Sequence, residues 1–195
     1  MMPNWKNALL VLAVGGALAS CKKDKEDDTP TPTPVPVNEE ELITTLRLHL
    51  HSANEVEHKR IEFVDIDGDG GADAVITADT LSIDSVYTVE IEVLNESETP
   101  SEDITEEIRA EDEDHQFFFQ VSGANVNVAY ADTDADGNPV GLSSVWTCPA
   151  LASYGSVIVT LRHMPNKAAA GVAAGDITNA GGDTDIEVTF PLIVR

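Results

Sequence analysis

From residue 44 onward, apolar and polar residues alternate in short runs divided by glycine, asparagine and aspartate. In LITTLRLHLHS, Leu46, Leu48 and Leu50 alternate with Arg47, His49 and His51. In VYTVEIEVLNE, Tyr87, Val89, Ile91 and Val93 take one side, and Thr88, Glu90 and Glu92 the other. A period of two belongs to strands with one buried face. RIEFVDI, HQFFFQV, NVNVAYA, LSSVWT, GSVIVTLRH and TDIEVTFPLIV extend the series, and β-branched and aromatic residues dominate them. At least eight such strands predict an all-β domain, an antiparallel two-sheet β-sandwich of the Ig-like kind. One short helix is expected in TPSEDITEEIRAEDED, with Thr99 as its N-cap, Pro100 next and Glu102 closing a capping box. Ile104 and Ile108, four apart, give that helix a narrow apolar stripe to lay on the sandwich.

The N-terminus follows a different pattern. Lys6 precedes an apolar run, Ala8 to Ala19, that is too short for a permanent span and reads as the core of a secretory signal. Leu18-Ala19-Ser20-Cys21 fits the bacterial lipobox, in which the cysteine is acylated and becomes the first residue of the mature chain. Several acyl chains on Cys21 suffice for stable anchoring. CKKDKEDD and TPTPTPVPV then form a charged, proline-alternating spacer that extends for about 50 Å in polyproline II. The expected organisation is a lipoprotein signal peptide at 1–20, an acidic and Pro/Thr-rich tether at 21–38 and the sandwich domain at 39–195. The Lys25-Glu26-Asp27-Asp28 run resembles the acidic export signal of Bacteroidetes-type lipoproteins. Outer-membrane anchorage is therefore expected, on the cell surface rather than the periplasmic face.

Charge narrows the partners. The chain has 11 basic and 35 acidic residues, and its net charge of −24 becomes −25 once Lys6 leaves with the signal. Such a surface repels nucleic acid and anionic lipid and attracts cations. With Cys21 used by lipid, Cys148 stands alone, so no intrachain disulfide is expected.

Two acidic runs carry candidate chemistry. DIDGDGGAD places Asp65, Asp67, Asp69 and Asp73 among glycines, and DTDADGN repeats the theme with Asp132, Asp134 and Asp136. Calcium takes six to eight oxygens, several of which such a loop can supply. Neither run completes an EF-hand, because its twelfth position is Ile76 or Ser143 instead of glutamate. They read as calcium loops in β-hairpins or as plain acidic turns.

Histidine offers a second constellation. His115 opens HQFFFQV with the parity of Phe117, Phe119 and Val121, and His163 closes VIVTLRH with that of Val157, Val159 and Leu161. Two core-side histidines at strand ends can meet at one mouth of the sandwich and hold zinc or copper, or stand apart as structural residues. His49 and His51 share a polar strand face, where such an i,i+2 pair can bind a transition metal or simply face solvent. MPNKAAAGVAAGDITNAGGDTD lacks a strand pattern and reads as a ligand loop or as a long connection from one sheet to the other.

No serine-elbow, zincin or phosphate-loop motif is present in the sequence, so an enzyme is not expected. SEDITEEIRAEDEDHQFFFQ, YADTDADGNPVGL, VTLRHMPNKAAAGV and GDITNAGGDTDIEVTF resemble a family of Bacteroidetes lipoproteins often labelled type 1 periplasmic binding fold proteins. The label implies a two-domain α/β fold longer than this chain, whereas the strand pattern keeps the sandwich as the expected fold. The resemblance also implies proximity to a TonB-dependent receptor. The functional expectation is an outer-membrane lipoprotein that binds a small ligand or metal cation for such a receptor. The alternative is a structural or adhesive surface module with calcium-stiffened loops.

Overall fold

The computed structural model describes residues 42–53, 55–68 and 71–195. The expected signal peptide, the lipidation residue Cys21, the tether and Asp69 lie outside these residues. The elements run β1 (Thr45–Ser52), β2 (His58–Val64), β3 (Val75–Ala78), β4 (Ser85–Asn95), β5 (Glu102–Asp103), α1 (Ile104–Ala110), β6 (His115–Ser122), β7 (Asn127–Tyr130), β8 (Ser143–Cys148), β9 (Ser153–His163) and β10 (Asp183–Val194). They form two antiparallel sheets, as the alternation predicts. One sheet has seven strands in the order β3-β2-β1-β4-β8-β7, with β5 added to β4, and the other has three in the order β10-β9-β6.

The alternating faces meet in one core. Leu46, Leu48, Leu50, Tyr87, Val89 and Trp146 come from the larger sheet, and Phe117, Val157, Val159, Phe190 and Leu192 from the smaller. Burying each large apolar side chain of this kind contributes about 1.5–3 kcal/mol. Ile104 and Ile108 of α1 are buried in the same core, so the predicted stripe is used.

The helix begins later than expected. Its N-cap is Asp103, whose carboxylate accepts from the Thr105 amide at 3.1 Å, and the expected cap at Thr99 is not used. The reason is local: Glu102 and Asp103 pair with Asn95 and Leu94 of β4, so the backbone is still extended where the capping box needs a helix. The Thr105 hydroxyl then bonds the Val93 carbonyl and amide, fixing the helix start to β4.

The long unpatterned stretch after His163 is ordered, and it does not cross between sheets. It joins β9 to β10, which are neighbours in the same sheet. On the way it makes two 3-10 turns, Val172–Ala174 and Ile177–Asn179. Val172 and Ala180 pack on Phe118, with Ala169 and Ile177 beside them, as a second small core on the outer face of β6. Gln116 on that face is fully buried, and its amide donates to the Val172 carbonyl at 3.0 Å. The smaller sheet is thus covered on both sides at the start of β6, which is why HQFFFQV breaks the alternation.

If this second core carries stability, Phe118→Ala should destabilise the fold by about 3–5 kcal/mol. Urea denaturation measures it. A loss below about 1 kcal/mol would mean that the connection merely rests on the sheet.

Candidate functional site

The pairing of β6 with β9 sets His115 directly opposite His163. Their rings stack, with centroids 4.6 Å apart and planes 10° from parallel. His115 is buried and His163 partly exposed. Gly182 permits the close approach of β10 to this end: at φ 70 it passes so near that an added Cβ would lie 2.2 Å from the His163 carbonyl oxygen.

Glu111 completes the group. It follows the last turn of α1, where its amide donates to the Glu107 carbonyl. Its own carbonyl faces His115 Nδ1 at 3.0 Å. A carbonyl only accepts, so Nδ1 of His115 carries a proton, and Nε2 is the nitrogen left to ligate a metal. Metal-ligating histidines are commonly oriented by such a carbonyl. The ligand atoms of Glu111, His115 and His163 all lie within 4.8 Å of one another. An imidazole nitrogen donates in its ring plane, so two stacked rings cannot aim at one ion until one of them turns. His163 is the more exposed of the two rings, while the His115 ring is held by the Glu111 carbonyl.

The acidic runs are organised differently. Both lie in loops between antiparallel partners, β2–β3 and β7–β8. In the first, Asp65 accepts from the Gly68 amide and Asp67 from the Ala72 amide, each at 3.0 Å, while Asp73 is exposed. In the second, Asp132 accepts from the Gly141 and Ser143 amides at 2.8 and 2.9 Å. Asp134 accepts from the Asp136 and Asn138 amides with one oxygen and from Lys167 with the other, at 2.9 Å. Asp136 is exposed. Among the described residues, no grouping of three metal-ligating side chains includes any of these aspartates. Asp132 and Asp134 of the second run face protein donors, so the loop is closed by its own chain.

Lys167 is the residue that sequence pattern missed. The Lys167–Asp134 pair is almost dry, with side chains 5% and 1% exposed, and Lys167 Nζ also donates to the Asp112 carbonyl. Burial alone would raise the Asp134 carboxyl, but hydrogen bonds from Lys167 and Asn138 outweigh it and hold the group below the usual carboxylate range. Beside this pair a cleft of about 270 Å³ is lined by Glu90, Arg109, Asp112, Asp132 and Ser143 among others. Cys148 is buried, and burial pushes its thiol up to about 11, so it is an unreactive core residue at neutral pH.

Comparison with known proteins finds no matching family model, no matching curated protein and no matching solved structure. Function must be read from the side chains alone.

Lys167→Met should destabilise the fold by about 3–5 kcal/mol, because it leaves the Asp134 carboxylate buried without its cation. The pH dependence has a definite sign. A carboxyl lowered by folding stabilises fully above its unfolded value of about 3.9 and loses that contribution as pH falls through its lower folded value. Wild type should therefore lose stability below about pH 4, and Lys167→Met should show a flatter acid limb. Urea midpoints taken across that range check it, and parallel curves would contradict the ion pair.

Proposed function

We propose that this chain is a lipid-anchored outer-membrane protein whose sandwich captures a first-row divalent cation, zinc or copper. In this reading Glu111, His115 and His163 hold the ion, and a TonB-dependent receptor is the partner served. The observation that carries it is the β6–β9 register, which sets two imidazoles side by side with a carboxylate in reach. Two nitrogens and one carboxylate oxygen suit borderline cations, and a three-ligand set leaves a position for water or a receptor donor. The net charge of −24 adds long-range attraction for cations. Anchorage through Cys21 and surface display rest on the lipobox and the tether sequence, and the receptor partner rests on the family resemblance. Among the described residues no helix is long and apolar enough to cross a membrane.

A second reading, a structural surface module with stiff loops, draws on Asp132 and Asp134. Their bonds to loop amides and to Lys167 stiffen the β7–β8 loop without a cation. Calcium then has its remaining candidate in the Asp65–Asp73 run.

Zinc should raise the melting temperature of the wild type, and His163→Ala should reduce that rise. At a free concentration a hundredfold above Kd the stabilisation is about 2.7 kcal/mol. Equal melting curves with and without zinc in wild type would rule out capture at this site. For the anchor, Cys21→Ala should move the chain from the membrane to the soluble fraction. Full retention in the membrane would contradict lipid as the sole attachment.

A further inference from the structure

The turn joining β1 to β2 brings His51 directly opposite His58. The Ser52 amide donates to the Glu57 carbonyl at 3.0 Å, so residues 52 and 57 form a hydrogen-bonded pair. His51 and His58 therefore fall on the neighbouring non-bonded step, where side chains stand closest. Their Nδ1 atoms are 2.8 Å apart, and their rings cross at 83° with centroids separated by 4.8 Å. Glu55 turns back so that its Oε2 lies 3.8 Å from His51 Nδ1, and the ligand atoms of all three residues lie within 4.8 Å of one another.

We propose that His51, Glu55 and His58 form a second site for a first-row divalent cation, zinc or copper(II), at the tip of the β1–β2 hairpin. This site stands independently of the one at Glu111, His115 and His163. Its ring geometry differs in the respect that matters. Planes crossing near a right angle share a line on which one ion lies in the plane of both imidazoles, and stacked planes have no such line nearby. With zinc–nitrogen bonds of about 2.0–2.1 Å, a tetrahedral angle sets the two nitrogens about 3.3 Å apart, so a widening of about 0.5 Å admits the ion. Without the ion, nitrogens this close form an N–H···N hydrogen bond, one Nδ1 donating to the other, and a bound ion replaces that bond. Two imidazoles and one glutamate leave a further coordination position open. Here it faces solvent, because Glu55 is 74% exposed. The arrangement suits a cation that exchanges quickly with solvent or with a donor from a partner.

The test is a zinc chloride titration of the full chain carrying 15N-labelled histidine, followed by calorimetry on variants. The ring Nδ1 resonances of His51 and His58 should shift together. His58→Ala should remove one equivalent of zinc, and Glu55→Gln should weaken that equivalent at least about tenfold, the loss that even an outer partner of a ligand produces. The same comparison in a His163→Ala background separates the two sites. If His163→Ala leaves zinc binding unchanged while His58→Ala abolishes it, the hairpin site stands and the His115–His163 site fails. Wild-type stoichiometry and affinity in His58→Ala, or shifts confined to Nε2, would overturn the proposal.

Discussion

A buried lysine reaching a buried aspartate fixes one end of this sandwich. Desolvating two charges costs several kcal/mol for each ion, and the pair is tolerated only where both groups find further hydrogen-bond partners. Lys167 and Asp134 find them in one arrangement: Lys167 also takes the Asp112 carbonyl, and the second oxygen of Asp134 takes two loop amides. Three segments are tied together as a result, namely the turn after α1, the β7–β8 loop and the connection from β9 to β10. The connection is thereby held against β6, where Val172 and Ala180 cover Phe118. The turn after α1 is held where the Glu111 carbonyl meets the His115 ring. The β6–β9 register stacks the two histidines, and the ion pair, through the Asp112 carbonyl, ties down the turn from which the Glu111 carbonyl reaches His115.

Most strands were legible because they have one buried and one wet face. Leu46, Leu48 and Leu50 against Arg47, His49 and His51 describe a half-buried strand, and the structure places the leucines in the core. The parity of His115 and His163 likewise pointed to the core side, and the register brings them together. What escaped was whatever depended on a third layer. Gln116 carries no mark of full burial, because it is buried by a connection some fifty residues later, through a bond to Val172. Lys167 sits in an alanine-rich stretch whose composition says nothing of an ionic partner across the fold. β3 (Val75–Ala78) was missed since it is short and its residues are mostly exposed. The pairing of His51 with His58 was missed for another reason: alternation within β1 shows which residues share a face but not which residue of β2 stands opposite.

Cation chemistry in this chain divides between two kinds of donor. Acidic runs drew attention because calcium favours clustered carboxylates. In the β7–β8 loop the Asp132 and Asp134 carboxylates are engaged by amides and an ammonium group, so their charge is already answered inside the protein. Among the described residues, the groupings whose ligand atoms lie close enough to share an ion are two sets of two histidines and one glutamate, one half-buried beside the pinned helix end and one exposed on a hairpin. Imidazole nitrogens favour zinc and copper over calcium, so the two kinds of donor predict different selectivity.

The most direct measurement is a calorimetric zinc titration of the full chain, with and without a large excess of calcium. Histidine-based capture requires zinc to bind with unchanged stoichiometry and affinity in the presence of calcium. Loss of the zinc heat under calcium would place the ion in the acidic loops and contradict a histidine site.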